Sequence, residues 1–190
     1  GSSPCRVSNA CSESVSVPAT LTVNRCPQTI NFPELQTVTY GCPPIELPAT
    51  TNKELTVTYQ STNTAVATVE GNTLTVVGPG ETNIVASQAG TTDYLAAASI
   101  TRTLRVNKIA QTISFDAPPR KTYGDLPFDL PEKSSEGLTL TYRVINTEVA
   151  TVEGHTVTIV GAGSTEIIAS QEGDAYHYAA APVTQTLTVD

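Results

Sequence analysis

The residues in this 190-residue chain that could do chemistry are few: four cysteines, two histidines, and eighteen Asp and Glu side chains set against ten Lys and Arg. Their spacing excludes the common arrangements. There is no CxxC pair for a thiolate metal cage, no HExxH for a zinc helix and no G-x-S-x-G elbow to present a nucleophile. Gly78-Pro79-Gly80 and Gly161-Ala162-Gly163 share only the spelling of a phosphate loop. Such a loop needs a helix opening directly after the glycines so that its N–H groups converge on the anion, and here a Thr-rich alternating run follows. His155 and His177 stand far apart in the chain, and an earlier copy of the same pattern carries Asn72 and Tyr94 in their places. Asp93, Asp116, Asp125, Asp129 and Asp174 supply oxygens from which a calcium site at a junction could be assembled, because Ca²⁺ takes about six to eight oxygen ligands. The DxDxDG spacing is missing, so solvated loop acids are the preferred reading and calcium stays an open question. Tyr176, His177 and Tyr178 form an aromatic cluster in a loop, and they are the candidate surface for stacking against a ligand. No catalytic, cofactor-binding or metal-ligating residue is assigned.

The elements that position these residues come from a repeat. Gln28–Val106 aligns without a gap on Gln111–Val189 at an offset of 83, and about half of the aligned positions are identical. The strongest stretch, NTxVATVEGxTxTxVGxG, begins at Asn63 and again at Asn146. Apolar residues alternate with Thr on either side of Glu70-Gly71-Asn72 and of Glu153-Gly154-His155, which is the pattern of a hairpin of half-buried strands turning on a glycine. Glu70 and Glu153 are the one acidic identity at that offset, and lying next to turns in different copies they cannot serve as a paired acid and base. Tyr59 and Tyr142 fall on an alternating strand in both copies and are expected in the core, as are Val69 and Val152.

Short strands with turn signals every 8 to 12 residues imply an all-β chain, folded as antiparallel sandwiches. The expected organisation is a tail over residues 1–27, a module over 28–107 and a second over 108–190. The tail reads as a hairpin that is either the remnant of a preceding module or docked on the first, with a loop at Asn9–Glu13 and a last strand at Ala19–Val23. The four-residue linker Asn107-Lys108-Ile109-Ala110 reaches about 13 Å at most, so the two modules must touch or nearly touch end to end, giving an elongated monomer. A net charge of −8 argues against nucleic acid and anionic membranes, whose affinity comes from Lys and Arg. No apolar run of the length that spans a bilayer occurs.

The run Leu55-Thr56-Val57-Thr58-Tyr59, with Val66-Ala67-Thr68-Val69, Val77-Gly78-Pro79-Gly80 and Thr82–Ala86, resembles the bacterial immunoglobulin-like domains of the invasin and intimin type. Gln28–Phe32, Gln111–Phe115 and Lys121–Phe128 resemble more narrowly the MBG modules that occur in tandem in bacterial surface proteins. That resemblance implies two tandem immunoglobulin-like sandwiches with an extracellular or cell-surface location. It also implies a role as structural spacer or adhesion module without catalysis, whose partners are neighbouring modules and a host or surface glycan or protein. The alternative is a carbohydrate-binding accessory module of a secreted enzyme. In such a surface protein four cysteines read as two disulfides. If Gln28–Phe32 folds back on Gln36–Tyr40 about Pro33, Cys26 comes opposite Cys42 and leaves Cys5 with Cys11; free or differently paired thiols are the other possibility. Module two has Ile109 and Asp125 in place of Cys26 and Cys42, so such a bridge is no requirement of the fold.

Overall fold

The structure is a computed structural model that describes residues 24–48 and 50–190, together with two short strands of the tail. Those two, β1 (Arg6–Ser8) and β2 (Glu13–Val15), pair antiparallel with Arg6 opposite Val15, so the tail does contain a hairpin. Glu13, expected in the loop, belongs to a strand; the expected last strand at Ala19–Val23 lies outside the described residues, as do Cys5 and Cys11. No helix occurs among the described residues, and therefore none long and apolar enough to cross a membrane.

The first repeat holds β3 (Val38–Thr39), β4 (Ile45–Glu46), β5 (Thr58–Ser61), β6 (Ala67–Glu70), β7 (Thr73–Val76), β8 (Gly80–Gln88) and β9 (Ala97–Asn107). They form two sheets, ordered β3-β9-β8-β5 and β4-β7-β6. The second repeat holds β10 (Phe128–Asp129), β11 (Thr141–Val144), β12 (Ala150–Glu153), β13 (Thr156–Ile159), β14 (Gly163–Ser170) and β15 (Val183–Val189), in sheets β11-β14-β15 and β10-β13-β12. Where β3 pairs with β9, the second repeat keeps only a single parallel bridge from Lys121 to Val189. Each pair of sheets closes on its own apolar cluster. Ala67, Leu74, Ile84, Ala86 and Leu104 lie fully buried in one cluster, and Ala150, Val157, Ile167, Ala169 and Leu187 in the other. The chain is two tandem immunoglobulin-like antiparallel β-sandwiches.

Period-two alternation accounts for this directly. Along β8, Thr82, Ile84 and Ala86 point inward while their neighbours face out, and Thr165, Ile167 and Ala169 do the same on β14. The buried hydroxyls of Thr82 and Thr165 are satisfied by the N–H groups of Asn63 and Asn146, both at 2.9 Å. The side chains of these asparagines accept in turn from Ala65 N–H at 3.1 Å and Glu148 N–H at 3.0 Å, a turn that leads the chain into the next hairpin. The hairpins β6–β7 and β12–β13 turn on Gly71 and Gly154, each with φ of 62°, while the residues after them keep negative φ. A positive φ at the first central residue alone is the II′ pattern, which explains why the glycine comes first and Asn72 or His155 second. Gly78 and Gly161 have a different reason: a Cβ there would lie 2.8 Å from Ala65 O or 2.6 Å from Glu148 O, so the backbones pass too close for any side chain.

Two expectations about the core need adjustment. Val69 and Val152 pack against it from a half-buried position, because the fully inward positions of these hairpins are Ala67 and Leu74, and Ala150 and Val157. Tyr59 and Tyr142 meet Phe32 and Phe115 edge to face, with centroids 5.2 and 5.5 Å apart, and their hydroxyls donate to Pro48 O and Pro131 O. Burial raises the pKa of both phenols above the ordinary tyrosine value.

The first segment of each sandwich does not fold back on itself. Cys26 pairs parallel with Tyr94, Arg102 Nε donates to Phe32 O at 2.9 Å, and Val38 and Thr39 pair parallel with Val106 and Asn107. Residues 26–39 thus run the length of β9 in the same direction. In the second sandwich Ile109 pairs with His177, Gln185 Nε2 donates to Phe115 O at 2.7 Å, and Lys121 pairs with Val189. Pro33 offers no N–H, but on an outer segment that costs no ladder bond. Cys26 and Cys42 therefore sit toward opposite ends of β9, on the order of 30 Å apart at about 3.3 Å per strand residue. A disulfide needs Cβ atoms about 4 Å apart, and both thiols are free, Cys26 exposed and Cys42 half-buried. The expected Cys26–Cys42 bridge fails for this reason. Mass spectrometry of a non-reduced digest should contain no Cys26–Cys42 linked peptide, and Cys26 should react first with iodoacetamide under native conditions.

Candidate functional site

The loop that carries Tyr176, His177 and Tyr178 is where the two sandwiches meet. Its shape follows from Asp174, whose Oδ1 accepts the N–H groups of Tyr176 at 2.8 Å and His177 at 2.7 Å, while His177 Nδ1 lies 2.8 Å from the same oxygen. The linker then docks on it: Ile109 N–H donates to Tyr176 O and Tyr178 N–H to Ile109 O, both at 2.9 Å. Lys108 Nζ donates to Asp174 O at 2.6 Å. From the other side Tyr40, whose own N–H is held by Asn107 O at 2.8 Å, stacks its ring on that of Tyr176, with centroids 4.8 Å apart and planes 22° from parallel. Offset stacking of this kind contributes about 0.5–1.5 kcal/mol beyond the area it buries.

The same loop in the first sandwich argues that this is architecture. Thr91 stands where Asp174 does, and its hydroxyl accepts from Asp93 N–H and Tyr94 N–H at 3.2 Å each; Cys26 then docks on the loop through Asp93 O and Leu95 N–H, as Ile109 does. Asp174 is thus a stronger version of a turn-closing hydroxyl. The backbone N–H of Tyr176, and then the His177 side chain, hold its carboxyl below the ordinary aspartate range. Since its pKa is lower folded than unfolded, the stability it lends is complete above the usual carboxylate pKa and disappears as pH falls through the depressed value. An NMR titration of Asp174 should place its midpoint below the model-peptide value, and Asp174→Asn should make the acid limb of the unfolding curve shallower.

The remaining candidates are scattered. Asp125 closes its own turn by accepting Thr122 N–H at 2.9 Å, and Asp129 accepts the Thr156 hydroxyl at 2.6 Å with His155 Nε2 4.0 Å away. Asp116 and Asp129 border an open cavity of about 300 Å³ with Phe115, Pro118, Pro119 and Phe128. Asp93 belongs to the first sandwich and Asp174 to the joint. No three Asp, Glu, His or Cys side chains converge as metal donors among the described residues. Tyr176 is 43% exposed and Tyr178 48%, with His177 more covered beside Asp174.

Sequence reasoning missed two features. One is Tyr40. The other is a buried amide latch, in which Gln28 Nε2 donates to Gln88 Oε1 at 2.5 Å and to Leu95 O at 2.7 Å, while Gln88 Oε1 also accepts Gly90 N–H at 2.6 Å. Gln111, Gln171, Tyr178 O and Gly173 repeat it in the second sandwich. The signal was present: glutamines at 28, 88, 111 and 171 are identical at the repeat offset, and a polar identity between strands calls for a partner. Glu46 accepts the Thr73 hydroxyl as Asp129, a different acid at the same repeat position, accepts that of Thr156.

No protein-family model and no curated protein matches the chain. Among solved structures it is similar to domains 4 and 5 of the S-layer protein SbsC, at 21% identity and a TM-score of 0.33 over 70% of this chain and 75% of that one. Drosophila N-cadherin EC1-4 is matched at 12% identity and a TM-score of 0.35, over 98% of this chain and 57% of that one. Sidekick-1 immunoglobulin domains 1–4 are matched at 14% identity and a TM-score of 0.34, over 97% of this chain and 57% of that one. Of a longer SbsC chain, rSbsC(31-844), it spans 22%. At such scores the likenesses carry no argument, and the fold is read from the strand pairing itself.

Proposed function

We propose that residues 28–107 and 108–190 are two separately folding modules of a bacterial surface or secreted protein, and that they serve as a spacer or adhesion segment and not as an enzyme. The observation that supports this best is how the linker is used. Asn107 holds Tyr40, Lys108 holds the Asp174 loop, Ile109 joins the second sandwich, and Tyr40 closes on Tyr176. The two ends of the linker are thus each tied to their own sandwich, and the Tyr40–Tyr176 stack crosses between them, which is what a spacer requires and a catalytic cleft does not. The chain reaches each module at one end and leaves it at the other, so modules placed in succession extend in line.

Small-angle scattering tests the reading. The expected distance distribution is that of an elongated particle with two peaks, and a single compact peak would refute it. A screen against polysaccharide, peptide and ester substrates is expected to give no turnover. Turnover lost on His177→Ala or His155→Ala would defeat the non-catalytic reading. Contact with a glycan through Tyr178 and the outer edge of Tyr176 is the competing reading, favoured by their exposure. A glycan array whose signal vanishes with Tyr178→Ala would support it.

A further inference from the structure

The second sandwich ends on a copy of the surface that the first uses at the joint, and that copy is uncovered. Tyr123 occupies the position of Tyr40 in the repeat. Its N–H donates to Asp190 O at 2.8 Å, as that of Tyr40 does to Asn107 O at 2.8 Å. The bridge from Lys121 to Val189 repeats the pairing of Val38 with Val106. Both rings are thus set by the same backbone at the same end of a sandwich. Their surroundings differ: Tyr40 is half-buried under Tyr176, whereas Tyr123 is 64% exposed and Leu126, three residues on, 83% exposed.

The geometry points to Tyr123 as the docking residue for a third immunoglobulin-like module joined in line after Asp190, one that presents an aromatic side chain at the position Tyr176 holds in the second. This rests on the modular reading above and adds to it the residue that makes the next joint and the side chain that must meet it. The internal comparison supplies the occupant. What covers Tyr40 is the loop of the following module, supported by an Asp that closes its turn. Head-to-tail stacking of a second copy of this chain fits less well, because the corresponding loop of the first sandwich carries Asp93 where Tyr176 would be needed, and a carboxylate does not stack on a phenol ring.

The test uses the whole chain extended after Asp190 by a second copy of residues 108–190, with tyrosine nitration by tetranitromethane as readout. In the 190-residue chain Tyr123 is expected to nitrate several-fold faster than Tyr40. In the extended chain Tyr123 should slow to the rate of Tyr40, the terminal copy of Tyr123 should keep the fast rate, and Tyr176→Ala in the appended copy alone should restore fast nitration at Tyr123. A Tyr123 that stays fast in the extended chain while Tyr40 remains protected would overturn this inference and leave the modular reading intact. A Tyr40 as reactive as Tyr123 in the original chain would overturn the joint itself, and the inference with it.

Discussion

Gly173→Ala is expected to destabilise the second sandwich by about 3 kcal/mol, the sum of backbone strain and displaced neighbours. Gly173 has φ of 79°, which costs any L-residue energy. In addition, a Cβ there would stand 2.5 Å from His177 O and 2.8 Å from Ala179 N. Both are backbone atoms, so no rotamer change relieves the contact. The chain has to move, and with it Gln171 Oε1, which accepts Gly173 N–H at 2.5 Å and also the Gln111 amide. For a module of this size the loss corresponds to a fall in midpoint on the order of 15 °C, measured by calorimetry. Gly71→Ala is the control. Its φ of 62° is also positive, but nothing lies within 4 Å of the added Cβ, so about 1 kcal/mol is expected. Equal losses at the two sites would mean that the close approach at Gly173 is of no consequence.

Leu187→Ala and Leu104→Ala should each cost about 2–5 kcal/mol, and each in its own sandwich. Both side chains are fully buried, and they belong to different apolar clusters. Truncation leaves a cavity between two sheets, and the ladder that ties β15 to β14 and β9 to β8 keeps these strands from easily collapsing into it. Calorimetry of the whole chain should resolve two transitions, of which Leu187→Ala lowers one and Leu104→Ala the other. If either variant lowers both transitions equally, the sandwiches unfold as one unit and the proposed division of the chain at residue 107 is wrong.

The parts legible in the sequence are those whose pairing is local. The hairpins at Gly71 and Gly154 declare themselves because alternation, the glycine and both partner strands fall within a dozen residues, and the packing of Tyr59 and Tyr142 against the core from half-buried positions follows from the same periodicity. The path of residues 26–39 was not legible. Its partners lie 68 residues away in β9, no local pattern names them, and Pro33 invited a tight fold-back that parallel pairing does not need. That single misreading also produced the wrong partner for Cys26. At the candidate site, the sequence marked Tyr176 as an exposed loop aromatic but gave no hint of Tyr40, because a contact between two modules obeys neither module's internal period.

The parallel run of residues 26–39 beside β9 has a consequence under load. Holding the chain at one end and drawing it at the other would put tension across Cys26 and Asn107. Because the first segment and β9 run the same way from opposite points of attachment, tension slides them lengthwise past each other. The Cys26–Asp93 and Val38–Val106 pairings, the Arg102 bond to Phe32 O and the Gln28 latch then bear it together in shear. A hairpin drawn apart at its open end loses its bonds one after another, at low force. Here several must break at once, so each sandwich is built to resist extension along the very axis on which it is joined to the next.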